Sequence, residues 1–458
     1  MAFTPDIAAI RFGEGLSPNV ASPRSIEAVL AQLRGADTAA QAYPIPTLSA
    51  IMPEMAQVHK LNRAARKGRK GPDADALRQT YRTAQRAYSR KLEALLAPTL
   101  ARSITSDQPF RERLTRFWAD HFTVVGKNNL TRRAVPCYAE EAIRPHINGR
   151  FADMLRAAVT SPMMLDYLDQ NASVGPNSRA AKGRRGLNEN LARELLELHT
   201  LGVGGAYGQA DVRQLAELLT GLGTEVGQGF LFRPKVAEPG AEQVLGRLYG
   251  GARPDVGDIY AFLDDVARHP DTARHIARKL AVHFTSDTPE AALVAEMADA
   301  FLQSDGALMP VYEVLLRHPF TWASFGQKVK QPIDLVASGM RALQVPPVTL
   351  RKFNRTKARA YVLAPMLGMG QEWLRPGGPD GWPEEAEAWI TPQGLAARIQ
   401  WAMSTPSSIF RSLPDPREFV GQALGSVADG KVQFAARAAE TRREGVGLIL
   451  ASPAFQRR

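Results

Sequence analysis

Hydrophobic residues recur at three- and four-residue spacing along most of the chain, which is the period of an amphipathic α-helix. Four junctions between such stretches combine a Ser or His with a following proline, a pairing suited to a helix start. The predicted helices cover 22–33, 48–66, 75–96, 107–122, 136–143, 150–159, 163–168, 187–200, 210–222, 256–268, 271–284, 289–302, 309–316, 333–343, 395–403 and 432–450. The pattern predicts a mainly α fold with one large multi-helix globular body, which we expect to be a single domain over residues 1–458.

Two stretches interrupt the helical pattern. Residues 227–250 are short, partly alternating and bounded by glycine and proline, so they predict a small β-hairpin-like insertion. Residues 345–389 predict a loop rich in Pro, Gly and Trp, with Trp373, Trp382 and Trp389 within seventeen residues. Tryptophans so placed can stack on a sugar or another planar ligand, although pinning the loop to the body is the simpler interpretation.

The stretch GLNENLARELLELHTLGVGG, residues 186–205, is the best candidate for a site. A helix over 187–200 would bury a leucine stripe and expose an arc of polar side chains. The candidate ligand-binding residues on it are Asn188, Glu189, Asn190, Arg193, Glu194, Glu197 and His199. Two interpretations stay open: an ion-pair ladder at four-residue spacing on a solvated face, or a carboxylate-rich site for a divalent metal or a phosphate-bearing ligand, with Glu194 and Glu197 as metal candidates.

Further candidates lie outside this stretch. They are His121, Asp166, Asp169 and Arg278. Arg278 lies one turn from Arg274, and the same predicted helix carries Lys279 and His275. A basic helix of this kind could neutralise a phosphate or pair with Glu194 and Glu197 in a buried network. His199 falls among leucines, which is more typical of a core histidine than of a ligand. The chain has no HExxH, GxSxG, Walker or dinucleotide-binding signature. The common classes of hydrolases, nucleotide-binding proteins and redox enzymes are therefore less favoured.

Several motifs of the chain resemble those of a known family and occur in the same order. They are RFGEG, RFWADHFTV, MLDYLDQNAS, NENLARELLELHTLGVGGAYGQADV, HIARKLAVHF and PDGWP. From about Arg11 to the final SPAFQRR, the chain resembles the bacterial family called domain of unknown function 1800. The resemblance implies no established activity and no agreed catalytic residues. It implies a gene pair whose second product, of the uncharacterised 1501 family, is similar to sulfatases and alkaline phosphatases and often carries an export signal.

The chain departs from the family pattern at two places. Family members commonly read HDPG where this chain reads Ala237-Glu238-Pro239-Gly240, so any role of that histidine is absent. Glu14 stands where the opening motif usually has an apolar residue. His121, His146, His199 and His283 all lie in stretches that match the family.

Charge is unevenly distributed along the chain, whose net charge is +11. The stretch 60–91 is strongly basic, and Arg78, Arg82, Arg86 and Arg90 recur every four residues, which makes one basic face on a helix. Such a face could meet phosphates or acidic lipid, but a solvated exterior is the favoured interpretation and nucleic-acid binding is not expected. The only cysteine, Cys137, excludes an intramolecular disulfide and a cysteine-based zinc site.

No transmembrane segment and no signal peptide are predicted, which favours a cytoplasmic location, with periplasmic co-export beside a signal-bearing partner as the alternative. The predicted function is an accessory or scaffold protein that works with a sulfatase- or phosphatase-like partner of the 1501 family. The alternative is an enzyme or ligand-binding protein whose site lies on the helix 187–200. The cofactor is unknown, with a divalent metal as the candidate.

Overall fold

The computed structural model describes residues 3–68, 70–181 and 186–458. Arg69 of the basic stretch, and residues 182–185 of the loop that precedes the central helix, lie outside the described residues. The fold is mainly α-helical with small β-hairpins, as predicted. No helix in the described ranges is long and apolar enough to cross a membrane.

The helices of the first two thirds of the chain are α1 (Pro5–Arg11), α2 (Ile26–Ala31), α3 (Thr38–Ala42), α4 (Leu48–Lys67), α5 (Ala74–Glu93), α6 (Leu96–Thr105), α7 (Pro109–His121), α8 (Val135–Tyr138), α9 (Phe151–Val159), α10 (Pro162–Tyr167), α11 (Asn190–Glu194), α12 (Gln209–Leu218), α13 (Val256–Ala267), α14 (Pro270–Phe284), α15 (Ala291–Gln303), α16 (Leu308–Arg317) and α17 (Pro319–Ala323). The remaining helices are α18 (Pro332–Ala342), α19 (Pro347–Arg351), α20 (Arg355–Ala358), α21 (Ala364–Gly368), α22 (Ala386–Trp389), α23 (Pro392–Ile409), α24 (Pro416–Leu424), α25 (Gly430–Ala438), α26 (Arg442–Ala451) and α27 (Pro453–Gln456). Single π-helical turns lie at Ala139–Ile143, Leu195–His199 and Arg359–Leu363, and 3-10 turns at Arg144–His146, Gln170–Ala172 and Gly425–Val427.

The four predicted Ser-Pro and His-Pro junctions all start helices. In each, the Ser or His side chain accepts a hydrogen bond from a backbone N–H of the first turn and proline occupies the first helical position. The capping side chains are Ser161, His269, His318 and Ser452. These local signals fix where α10, α14, α17 and α27 begin.

Two regions differ in detail from their predictions. The predicted single hairpin is two antiparallel hairpins, β1 (Leu222–Glu225) with β2 (Gly229–Phe232), and β3 (Gly240–Val244) with β4 (Arg247–Gly251). The predicted loop 345–389 contains the short helices α19 to α22, because Pro347 suits a first helical turn and the Asn354 side chain caps α20.

The central helix is also shorter than predicted, since it begins at Asn190 instead of residue 187. Asn188 explains the late start. Its side-chain oxygen accepts from the Asn190 backbone N–H at 3.0 Å, which holds the preceding residues in a turn. The helix then continues from Leu195 to His199 as a π turn, which shifts the side chains of its second half around the axis.

The buried apolar residues form two main cores. The larger one is built from α1, α2, α4, α5, α7 to α17 and the hairpins. The smaller one is built from α18 to α21 and α23 to α27, and α6 joins it through Leu96, Leu100 and Ile104 although α6 lies early in the chain. The assignment of the whole chain to one domain stays a prediction. The junction of the two cores is where the candidate site lies.

Candidate functional site

A cleft of about 210 Å³ opens between the two cores. The end of α7, the end of α14, the start of α18 and the loop 371–384 provide its walls. The charged, histidine and tryptophan side chains that line it are Arg102, Glu112, Arg113, Arg116, Asp120, Glu140, Arg144, His283, Asp334, Trp373, Trp382 and Glu384. The motifs RFWADHF, HIARKLAVHF and PDGWP, which are far apart in sequence, therefore meet at one cleft.

His283 and Glu384 form a hydrogen-bonded pair on the cleft wall. The His283 Nδ1–H donates to Glu384 Oε1 at 2.6 Å, while His283 Nε2 is buried without a hydrogen-bond partner among the described residues. Glu384 Oε2 lies 3.3 Å from Nζ of the buried Lys328. Burial alone would raise the pKa of Glu384, but His283 and Lys328 outweigh it and lower that pKa to about 2. An ionised carboxylate thus orients the imidazole, and the second ring nitrogen makes no hydrogen bond to the described residues.

Asp120 is another carboxyl group of the cleft, and its pKa is shifted in the direction opposite to that of Glu384. Both of its oxygens lie 3.1 Å from the backbone nitrogen of Trp382. Burial raises the pKa of Asp120 to about 7, and the negative charge of Glu384 adds to the shift against the hydrogen bond from Trp382. Two carboxyl groups with pKa values pushed apart are the arrangement by which one site supplies both an acid and a base.

Gly381 allows the loop to approach Asp120 this closely. Its φ of +85° lies in the left-handed region, and a Cβ there would stand 2.8 Å from the Asp120 carboxyl group. We expect Gly381→Ala to lower the free energy of unfolding by about 1–3 kcal/mol, because the side chain adds both backbone strain and a clash. Urea unfolding followed by tryptophan fluorescence measures this loss.

Gly377→Ala is the matched control for that substitution. Gly377 lies in the same loop, but a Cβ there would meet no heavy atom within 4 Å. Equal stability of the two variants would contradict the role assigned to Gly381.

A group of buried histidines lies behind the cleft, on the side of the central helix. The His121 and His199 ring centroids are 6.1 Å apart, and the His121 and His275 centroids are 6.2 Å apart. Burial, followed by the charge of Lys279, lowers the pKa of His199 to about 3 and that of His275 to about 4. Lys279 also interacts with Asp120, Glu384 and Asp380, and burial lowers its own pKa. Lys279 thus interacts electrostatically both with the histidines and with these acidic groups.

The arginines of the cleft are all held by carboxylates. Arg102 binds Glu140 through two hydrogen bonds of 2.7 and 3.1 Å, and Arg144 binds Glu112 and Asp37. Arg113 and Arg116 both bind Asp334, and Arg116 also binds Glu14 at 2.6 Å. The polar walls are therefore nearly balanced in charge, which favours a ligand without a large net charge.

The central helix carries the predicted ion-pair ladder. Arg193 lies 3.3 Å from Glu189 and 3.3 Å from Glu197, and all three side chains are partly exposed. Asn190 is exposed. The Asn188 side-chain amide donates to the backbone oxygens of Leu168 and Asp169, so this residue fixes the entry of the helix.

Other predicted site residues are scattered. His121 and His199 join the buried histidine group, and His121 Nε2 donates to the His199 carbonyl at 3.2 Å. Asp169 pairs with Lys127 at 2.7 Å on the surface, and burial raises the pKa of Asp166. Arg278 is exposed.

The predicted buried network of Arg274 and Arg278 with Glu194 and Glu197 is not formed. Arg274 and Arg278 face solvent, and Arg274 pairs with Asp271. Burial raises the pKa of Glu194, and the charges of Glu197 and Asp380 add to the shift. Glu194 does not line the cleft.

No metal centre is evident in the described part of the chain. No group of three or more His, Cys, Asp or Glu side chains there is arranged so that it could hold a metal ion. Glu194 and Glu197 as metal ligands stay a prediction.

Sequence reasoning named three residues of α14, His275, Lys279 and His283, without selecting them as site candidates. His275, Lys279 and His283 recur every four residues, so they share one face, and that face points inward to the histidine group and the cleft. The selected candidate, Arg278, lies with Arg274 on the opposite, exposed face. The four-residue spacing of His, Lys and His was the available signal.

Comparison of the sequence with models of protein families identifies the family of the chain. The model of the family described as "Protein of unknown function (DUF1800)" matches residues 7–457. The chain belongs to the DUF1800 family. No curated protein and no solved structure matches it. The function of this DUF1800 protein must therefore be inferred from the cleft itself.

Proposed function

We propose that this DUF1800 protein is an enzyme that binds a small polar ligand in the cleft and transfers protons to and from it. The single observation that carries the proposal is the His283–Glu384 pair, which lines the cleft and leaves His283 Nε2 unpartnered. In this role His283 Nε2 accepts a proton from the ligand or an attacking water. Asp120, with its raised pKa, supplies a proton to the leaving group.

The lining of the cleft supports a neutral ligand that carries hydroxyl groups. Its arginines are paired with carboxylates, so none offers an uncompensated charge to an anion. Trp373 and Trp382 provide flat apolar surfaces beside these polar groups. Aromatic faces next to hydrogen-bonding side chains suit the alternating apolar and polar surfaces of such a ligand.

An activity screen with chromogenic substrates tests the proposal. Nitrophenyl glycosides and esters represent neutral substrates, and nitrophenyl phosphate and sulfate represent anionic ones. We expect turnover of a neutral substrate, and His283→Gln is expected to lower it about 100-fold or more because the proton acceptor is lost. His59→Gln, at an exposed histidine of α4, is the control and should retain full activity. Equal activity of wild type and His283→Gln, or turnover of anionic substrates alone, would contradict the proposal.

Asp120 gives a prediction that does not depend on knowing the substrate. Its pKa is raised in the folded protein from 3.8 to about 7, so its contribution to stability is complete below about pH 4 and is lost as pH rises through 7. Asparagine does not ionise, so Asp120→Asn should not show this loss of stability at high pH. At pH 8 the variant should be more stable than wild type by about 2 kcal/mol, a value reduced from the full pKa shift because Asp120 is only half-buried and solvent screens its charge. This gain in stability should disappear near pH 4.

Urea unfolding at pH 4 and pH 8 measures this difference. Asp299→Asn, at an exposed aspartate of α15, serves as the control. A wild-type protein more stable than Asp120→Asn at pH 8 would show that Asp120 is held as a stabilising carboxylate instead.

The accessory role is the second candidate function. Leu395 and Ile399 are 41% and 43% exposed and lie one turn apart on α23, with Leu367 57% exposed on α21. Exposed apolar side chains at such spacing suit a protein contact, and the resembled gene pair suggests a 1501-family partner. Leu395→Asp with Ile399→Asp should abolish co-elution with that partner, while Val203→Asp, at another exposed apolar residue, should not. The location of the protein depends on this same proposal: it is cytoplasmic, or periplasmic if it is exported together with a signal-bearing partner.

A further inference from the structure

The net charge of the protein is concentrated on one helical hairpin. The stretch 60–91 contains eleven of the chain's lysines and arginines and only two acidic residues, so it carries +9 of the net +11. The remaining 426 residues are nearly neutral. This stretch spans the end of α4 and nearly all of α5, two helices of twenty residues that pack against each other.

The positive side chains of the hairpin are exposed and mostly unpaired. Arg82, Arg86 and Arg90 are exposed, and no carboxylate within the described ranges lies within ion-pair distance of them. Among the described basic residues of 60–91, Arg78 and Lys91 have such a partner, Asp75 and Glu54 respectively. Together with Arg78, these arginines form a row of roughly 18 Å along α5, at 1.5 Å per residue.

The basic surface extends beyond α5. Arg351 lines the same surface groove as Glu93, the last residue of α5, and it opens a second run of exposed basic residues. That run comprises Arg351, Lys352, Arg355, Lys357 and Arg359. The arginine row on α5, roughly 18 Å long, already exceeds what a small anion would occupy, which points to an extended polyanion.

The apolar face of α5 distinguishes between extended anionic partners. Ala74, Tyr88 and Leu92 are buried, and no exposed large hydrophobic side chain lies within the described part of 60–91. A helix that lies in a bilayer interface needs a free apolar face to insert. The exposed positions of α5 are instead occupied mainly by arginine, threonine, glutamine and alanine, and the first three are side chains that contact phosphates and base edges.

We propose that the α4–α5 hairpin docks the protein on double-stranded nucleic acid through its phosphate backbone, without sequence preference. This reverses the sequence-based expectation of a merely solvated face. Guanidinium groups donate two parallel hydrogen bonds to a phosphate, and each contact releases counterions, so affinity falls steeply with salt.

Fluorescence anisotropy of a labelled 20-base-pair DNA duplex, measured over a salt series with the full chain, tests the proposal. The triple variant Arg82→Glu, Arg86→Glu and Arg90→Glu should weaken binding at least about tenfold and flatten the salt dependence. Arg417→Glu, Lys431→Glu and Arg437→Glu, at exposed positions of α24 and α25, make the same change in net charge and should weaken it far less. Circular dichroism establishes that both variants are folded.

Three results would overturn the proposal. The first is equal weakening by both triple variants, which would reduce the interaction to attraction by net charge. The second is no binding of wild type to the duplex at low salt. The third is binding to phosphatidylserine vesicles, measured by sedimentation, with none to the duplex, which would assign the hairpin to a membrane surface.

Discussion

Asp334→Asn should lower the free energy of unfolding by about 3–5 kcal/mol, the largest effect we expect from a single substitution. One oxygen of Asp334 lies 2.5 Å from Arg113 and 2.5 Å from Arg458, and the other lies 3.0 Å from Arg116. Arg113 and Arg458 are fully buried. Loss of the carboxylate removes the ion-pair partner of the buried Arg113 and Arg458, while Arg116 keeps Glu14. The desolvation already imposed on the two buried guanidinium groups is then no longer offset.

Chemical denaturation by urea, with the slope of the transition compared between variants, measures this loss. Asp264→Asn is the matched control, because Asp264 also binds an arginine through two hydrogen bonds, 2.7 and 2.8 Å to Arg156, but both side chains are about 40% exposed. The control should lose no more than about 1 kcal/mol. If Asp334→Asn lost no more than the control, the four-residue network would not be an element that stabilises the junction of the two cores.

Glu384→Gln should lower the free energy of unfolding by about 3 kcal/mol at pH 6, because the pKa of Glu384 is lowered from 4.5 to about 2 and each pKa unit corresponds to 1.36 kcal/mol. The sign follows from the lowered value. The ionised carboxylate stabilises the fold fully above about pH 4.5, and this contribution is lost as pH falls through 2. The difference between wild type and variant should therefore shrink steadily as pH falls from 5 towards 2.

The same urea titrations at pH 6, 4.5 and 3 check the pH dependence. Glu385→Gln, at the exposed neighbouring residue, should leave the stability unchanged at all three values. A difference for Glu384→Gln that does not vary with pH would indicate a packing effect and not the loss of the charged pair with His283.

Local structure could be predicted from the sequence because its causes are local. The apolar spacing within each segment indicated most helices, and Ser161, His269, His318 and Ser452 with their prolines marked four helix starts correctly. The limits of that reasoning are visible at the central helix. Its delayed start depends on a side-chain hydrogen bond of Asn188, and its π turn is not a feature that helical spacing predicts.

The cleft could not be predicted in the same way, because its residues converge from separate parts of the chain. Asp120, His283 and Glu384 lie on α7, on α14 and before α22, and only the packing of the two cores brings them together. A segment dense in polar residues, such as 187–200, attracts attention as a site, yet its most regular feature is an ion-pair ladder. The family motifs were a better guide, since three of them line the cleft.

The departure at residues 237–240 also has a structural meaning. Glu238 is buried, and its carboxylate accepts hydrogen bonds from the backbone and the side chain of Asn177 at 2.9 and 2.6 Å. The backbone N–H of Gly175 also donates to the Val236 carbonyl at 2.9 Å. In this chain Val236 and Glu238 therefore fix, through hydrogen bonds, the start of the loop that leads to the central helix.

The most direct test of the central claim is a crystal structure of the protein soaked with a set of small neutral polar compounds. The account predicts that bound compounds occupy the cleft, with a polar atom within about 3.2 Å of His283 Nε2, and that crystals of His283→Gln bind them less well. Compounds bound only at other surfaces, with the cleft filled by solvent in every soak, would contradict the assignment of the cleft as an acid–base ligand site.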